Sequence, residues 1–224
     1  MKTDIIVEWR FQLLLVVSLC LIAVSPFLES RWFFDIVSTA LLLFAISSVI
    51  GKRMHMVIYG ALSVAAVVGI WVANWFPNAA TALAVHFMGM VFLILIVAAI
   101  MAHLFRSARI TRETIAGAIC AYLLIGMVWG HAFAILDYLV PGSFADTSIE
   151  TEASVDPEPI RDQIAQFNYF SFVTLTTLGY GDMTPLSRPA KNLAALEAIL
   201  GQLYIAVLIA RLVGLMQPAK PRQN

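Results

Sequence analysis

The sequence predicts an all-α polytopic membrane protein, with six transmembrane helices and one further helix that enters the bilayer and turns back. Three observations carry this prediction. Hydrophobic residues form 61% of the 224-residue chain and charged residues 12%, where soluble domains carry roughly 25% charged residues. The apolar residues gather into runs of about 20, the length that spans a hydrocarbon core as a helix. One apolar segment, Asp162 to Leu175, is too short to cross a ~30 Å core at about 1.5 Å per residue.

The first span runs from about Phe11 to Leu28, with Trp9 and Trp32 at its ends, where tryptophans favour the headgroup level. The second covers about Phe33 to Ile50 and stops at Gly51-Lys52-Arg53. The third covers about Met56 to Phe76, and the short link Pro77-Asn78 makes it a tight hairpin with the fourth, about Ala79 to Phe105. A basic linker with Arg106, Arg109 and Arg112 follows, then a fifth span from about Thr114 to Val140. A polar, acidic loop from Pro141 to about Arg161 precedes the short segment, and the sixth span is about Ala190 to Met216. The run at the N-terminus has no small-residue cleavage site and reads as a retained span. Cys20 and Cys120 both fall within spans and read as small buried apolar residues.

Net charge is zero, which favours no nucleic-acid partner. Its distribution is uneven: ten Lys and Arg residues lie with the two termini and the second and fourth loops, against four in the others. Basic loops stay cytoplasmic, so both termini are expected there, in a multi-pass cell-membrane protein, with a bacterial inner membrane the expected location.

Between the short segment and the sixth span lies Thr176-Thr177-Leu178-Gly179-Tyr180-Gly181-Asp182. Irregular backbone at membrane depth persists only where it is buried in protein or lines a water-filled cavity. Successive carbonyls all point one way only if the backbone alternates between ordinary and left-handed regions. Gly179 and Gly181 supply left-handed positions without a Cβ clash. Rings of such carbonyls replace the hydration shell of a cation, and four copies close the ring. Leu178 and Tyr180 then turn away from the ion, Tyr180 towards Tyr169, Phe170 and Phe172. The C-terminal end of the short helix adds partial negative charge towards the cavity.

From about Glu113 to Met216 the chain resembles the potassium channel superfamily. The nearest likeness is to prokaryotic six-span channels with one pore loop, built on the voltage-gated architecture but here without fourth-span arginines. The resemblance implies a homotetramer in the lipid bilayer and passive K⁺ conduction, with no enzymatic activity and no organic cofactor. K⁺ is the permeant ion, held by the carbonyls of Thr177, Leu178, Gly179 and Tyr180 and the Thr177 hydroxyl, in a filter that ends at Gly181. Thr176 and Asp182 flank it, and an aromatic donor, Tyr169, partners Asp182. Gly201 stands where the family places a hinge. Helical spacing and the resemblance together put Gln202, Ile205 and Ile209 along the cavity, Ile205 or Ile209 forming a hydrophobic gate. The commonest filter of the family has Val where Leu178 stands, and Val173 occupies the place of a pore-helix Glu. A less selective cation channel and a non-conducting membrane sensor or accessory subunit are the competing readings.

The chain divides accordingly into a sensor-like domain over 1–105, a basic linker over 106–112, a pore domain over 113–216 and a cytoplasmic tail over 217–224. That tail is too short for a soluble ligand-binding domain. A voltage sensor needs basic residues within its fourth span, and Ala79 to Phe105 holds no Lys or Arg, so weak or no voltage dependence is expected. Arg106, Arg109 and Arg112 read as a headgroup anchor. Glu197 either braces the pore helix from behind or faces an outer interface. His86 and His131 are interhelical hydrogen-bond partners or proton sensors, and His103 is structural. The loop acids Asp146, Glu150, Glu152, Asp156, Glu158 and Asp162 are a solvated loop or a cation-concentrating mouth. Gly126 and Gly130 are a close-packing pair.

Overall fold

The computed structural model describes residues 2–24, 78–107, 110–146 and 160–216, with isolated positions between 60 and 75. Its elements are α1 (Lys2–Val24), α2 (Ala79–Arg106), α3 (Arg112–Leu139), β1 (Phe144–Asp146), α4 (Ile160–Leu175), β2 (Met183–Pro185) and α5 (Arg188–Met216). Among the described residues, α2, α3 and α5 are long and apolar enough to cross a membrane, while the apolar part of α1, Phe11–Cys20, is shorter. The expected second and third spans lie outside the described residues save for those isolated positions. Helix α1 starts at Lys2 rather than near Phe11, and α4 and α5 each start two residues earlier than expected. An apolar run marks hydrocarbon depth, whereas a helix continues into water as far as its backbone bonds are satisfied.

Two capping boxes set the starts of α2 and α3. Asn78 Oδ1 accepts from Thr81 N at 2.9 Å while Asn78 N donates to Thr81 Oγ1. Thr111 Oγ1 accepts from Thr114 N at 3.1 Å in the same way. Both satisfy first-turn donors that helices otherwise leave unpaired.

Helix α3 is the centre of the fold. Phe11 and Leu14 of α1, Phe92, Ile96 and Ile100 of α2, and Cys120, Ala121 and Leu124 of α3 form one core. The described helices on either side of the 106–112 linker therefore share a single core. At the other end Phe133, Phe167, Phe170 and Met183 form a second cluster, with edge-to-face rings at 5.0 Å for Phe133–Phe170. The small residues of α3 admit α4 closely: a Cβ on Gly126 would overlap the Phe172 ring, and one on Gly130 would overlap Asn168.

Three expectations are corrected. The 141–161 stretch is not all loop, because Phe144, Ala145 and Asp146 pair antiparallel with Pro185, Thr184 and Met183. Strands of three residues carry no readable alternation. Cys20 is exposed, although Cys120 is buried. Phe170 packs on Phe133 and Phe144 and Phe172 lies over Gly126, so neither is the backing for Tyr180 that the sequence pointed to.

Candidate filter and its supports

Helix α4 has 16 residues, roughly 24 Å at the usual rise, which is too short to cross a ~30 Å hydrocarbon core. Its last turn takes hold of the chain that follows. Val173 O accepts from Leu178 N at 2.9 Å and from Gly179 N at 3.4 Å, and Thr174 O accepts from Thr177 N at 2.9 Å. The N–H groups thus turn back on the helix. Thr177, Gly179 and Gly181 all have positive φ, at 59°, 63° and 81°. Every second residue is left-handed, which gives successive carbonyls a common direction. Among the described residues the carbonyl oxygens of Thr177, Leu178, Gly179 and Tyr180 accept no hydrogen bond. All four residues are exposed in the single chain, so the row of carbonyls is open to a partner from outside the chain. The sequence pointed to Thr177 for its carbonyl and hydroxyl but gave left-handed backbone only to the two glycines, although a two-residue period counted back from Gly179 leads to Thr177.

The supports surround this strand of chain. Tyr169 Oη donates to Asp182 Oδ2 at 2.5 Å, and Met183 N donates to Asp182 Oδ1 at 2.9 Å. The Tyr169 hydrogen bond, with that of Met183 behind it, holds the Asp182 carboxyl below its ordinary value. The same bond to Asp182 pushes the Tyr169 phenol up to about 12. Thr176 Oγ1 donates to Phe172 O at 2.6 Å, and Thr177 Oγ1 donates to Thr176 O at 2.6 Å. Beyond Asp182 the β ribbon ties the filter exit to the end of α3, reinforced by Leu186 N to Ser143 O at 2.7 Å. Gln166 Nε2 donates to Asp146 Oδ2 at 2.9 Å. Of the loop acids, Glu150, Glu152, Asp156 and Glu158 fall outside the described residues, as does the side chain of Asp162.

Behind the filter Glu197 is 0% exposed. Ser171 Oγ lies 2.5 Å from Glu197 Oε1 and 2.6 Å from Gly126 O, so one hydroxyl joins α3, α4 and α5. Glu197 thus lies inside the chain, between α3, α4 and α5, and not on its outer surface. Ser171 itself escaped the sequence reading, and its one signal is a polar residue inside an aromatic helix. Gly201 is buried against the base of the filter: a Cβ there would overlap Leu175 O and lie 2.9 Å from Leu175 Cδ1. Helix α5 runs unbroken through it. Gln202, Ile205 and Ile209 are exposed on one face of α5.

Helix α2 meets α3, α4 and α5 at two heights. His86 Nδ1 lies 3.1 Å from His131 Nδ1, and His86 Nε2 lies 3.3 Å from Gln163 Oε1 of α4, the interhelical hydrogen-bonded arrangement. At the opposite end Arg211 Nη2 of α5 donates to Leu104 O and, at 3.0 Å, to Ser107 O. His103 stacks against Phe11, with ring centroids 5.2 Å apart. Arg106 and Arg112 are exposed, and Arg109 lies outside the described residues. Among the described residues no group of three or more His, Cys, Asp or Glu side chains suits a metal ion.

Residues 117–217 match a protein-family model described as "Ion channel". That match supports the ion-channel family for this part of the chain, which runs from within α3 to the end of α5 and holds the whole filter stretch. With three helices fit to cross a membrane, it supports a channel-like protein in a lipid environment. Comparisons with curated proteins and with solved structures return no match.

Proposed function

We propose that the chain is one subunit of a homotetrameric, potassium-selective channel that conducts passively and catalyses no reaction. The row of four unpartnered carbonyls on alternating backbone carries this reading. Four such rows around an axis make stacked cages that replace the hydration shell of K⁺. The C-terminal end of α4 supplies partial negative charge beneath them. Thr176, Asp182, Tyr169 and Glu197 act as supports, and Ile205 or Ile209 closes the cavity on the cytoplasmic side.

Two further observations favour several copies. Leu178 and Tyr180 are 56% and 67% exposed in the single chain, far more than filter-backing side chains tolerate at membrane depth. Leu196, Ile199 and Val213 of α5 are also exposed, and a ring of copies would cover part of that surface.

Purified full-length protein in K⁺-loaded liposomes tests the proposal. Reversal potentials in mixed K⁺ and Na⁺ are expected to follow the K⁺ gradient, and cross-linking to stop at four chains. Equal K⁺ and Na⁺ permeability would leave the less selective channel, and absence of flux would leave the accessory subunit.

A further inference from the structure

An apolar groove of about 380 Å³ lies between α2 and α5, with α3 as its floor. Among the described residues its wall includes Phe105, Trp129, Leu200, Leu203 and Val207, and its one charged member is Arg211. We propose that this groove holds one acyl chain of an anionic phospholipid from the leaflet on the cytoplasmic side, with the phosphate against Arg211.

Position argues for lipid. On α5 the groove residues Leu200, Leu203, Val207 and Arg211 recur at helical spacing, and so do Gln202, Ile205 and Ile209. At about 100° per residue the two stripes point in opposite directions. If the second stripe faces the ion path, the groove faces outward, away from the axis. In that respect the inference rests on the pore assignment above. An outward apolar groove at membrane depth is filled by apolar matter, because the bilayer supplies no water to fill it.

Length argues for one leaflet. From Leu200 to Arg211 the helix rises roughly 16 Å, about half of a ~30 Å hydrocarbon core. The groove thus starts near mid-bilayer and ends at one headgroup layer, the reach of a single chain.

Charge argues for an anionic headgroup. The guanidinium sits 4.9 Å from the Phe105 ring centroid, and its Nη2 is taken by Leu104 O and Ser107 O. A guanidinium has five N–H donors, so those on Nη1 and Nε remain. Each can donate singly to a phosphate oxygen, a charge-assisted bond but not a two-pronged one, because both prongs of a guanidinium fork need Nη2. Arg106 and Arg112 add positive charge at the same end, both exposed. A zwitterionic headgroup gains little from that field, whereas an anionic one gains attraction from each cation.

Trp129 provides the probe. In full-length protein whose other four tryptophans are replaced by Phe, Trp129 fluorescence is measured in vesicles of phosphatidylcholine or phosphatidylglycerol with brominated acyl chains, and K⁺ flux is measured on the same samples. Strong quenching is expected in both, and in mixtures the brominated phosphatidylglycerol should be preferred several-fold at low mole fraction. Arg211→Gln should bring that preference to about one, and Val207→Phe should weaken quenching by either lipid. Equal quenching by the two brominated lipids in mixtures at low mole fraction, with Arg211 in place, overturns the anionic headgroup without any variant at that site. Flux without quenching means that protein, either a second copy or another part of this chain, covers the groove, and it overturns the proposal while the channel reading stands. Quenching without flux does the reverse.

Discussion

Replacing Gly201 by Ala separates the hinge role that the family resemblance implies from the packing role that the structure shows. As a hinge, Gly201 would cost the helix stability. Alanine in its place would then stabilise α5 by about 1 kcal/mol, as in any helix interior. The structure gives a different sign. An added Cβ would overlap Leu175 O and lie 2.9 Å from Leu175 Cδ1, where ordinary contacts sit at about 3.5–4.0 Å. Either α5 or the last turn of α4 must then shift by on the order of 1 Å. The obstructing oxygen is backbone, so the cost falls near the upper end of the range for overpacking, about 3 kcal/mol. The net loss is about 2 kcal/mol per subunit, or roughly 4–8 °C in melting temperature for a chain of this size. Gly214 is the control, because nothing lies within 4 Å of a Cβ there, and Gly214→Ala should raise the melting temperature by a few degrees. Leu175 lies two residues before Thr177, so Gly201→Ala should also reduce discrimination between K⁺ and Na⁺. Thermal melting of the purified oligomer gives the first answer. A Gly201→Ala protein as stable as the Gly214→Ala control would refute the packing argument and restore the hinge.

Ser171→Ala removes the hydroxyl that reaches both Glu197 and Gly126 O, leaving a buried carboxyl short of partners. It should cost about 1–3 kcal/mol, read as lower oligomer stability in detergent, with Glu197→Gln milder; unchanged melting in both variants would remove the brace. The Tyr169–Asp182 contact has a pH window with definite edges. Because Asp182 is held below its ordinary carboxylate value, its contribution is present above that value and lost as pH falls through the lowered one. Because the Tyr169 phenol is pushed up to about 12, its contribution is present below the ordinary tyrosine value and lost as pH rises through about 12. Steady K⁺ current should therefore be insensitive to external pH across the neutral range through this pair, and Tyr169→Phe should shorten open times at neutral pH; equal open times would count against it. Ile209→Asn should raise the resting leak by wetting the cavity, and an unchanged resting current would place the gate elsewhere.

The sequence revealed those parts of this molecule that composition and backbone sterics determine locally. Apolar runs marked α2, α3 and α5, because a hydrocarbon solvent admits few alternatives to helix. The glycine spacing marked Gly179 and Gly181, because only left-handed backbone makes glycine necessary there. The left-handed backbone of Thr177 was hidden, because nothing in its own side chain calls for it; it accompanies the turn in which Thr177 N donates to Thr174 O and Leu178 N to Val173 O. The ribbon between Phe144–Asp146 and Met183–Pro185 was hidden for a similar reason: proximity of two chain segments creates it, and three residues have no pattern of their own. Ser171 and Arg211 act across helices distant in sequence, at Glu197 and Leu104 respectively. No periodicity announces such pairs. The glycines of α3 were legible as close-packing sites, but which helix they admitted was not.

Helix α2 shows how far absence of charge can be carried. Moving one elementary charge through the field is worth about 2.3 kcal/mol per 100 mV, and Ala79 to Phe105 contains no Lys or Arg. The helix is also held at two heights, by His86 against His131 and Gln163 and by Arg211 on Leu104 O and Ser107 O. A translation along its axis would break both sets of bonds and uncover Phe92, Ile96 and Ile100 from the shared core. With no Lys or Arg between Ala79 and Phe105 to offset that cost, a voltage step finds no gating charge in the apolar stretch of this helix. Conductance in planar bilayers should therefore vary only shallowly between −100 and +100 mV, with an effective valence of about one or less. A steep curve requiring several charges per channel would refute this. It would place the sensor among residues 25–77 or in the 106–112 arginines, and would require α2 to leave contacts that the structure shows made.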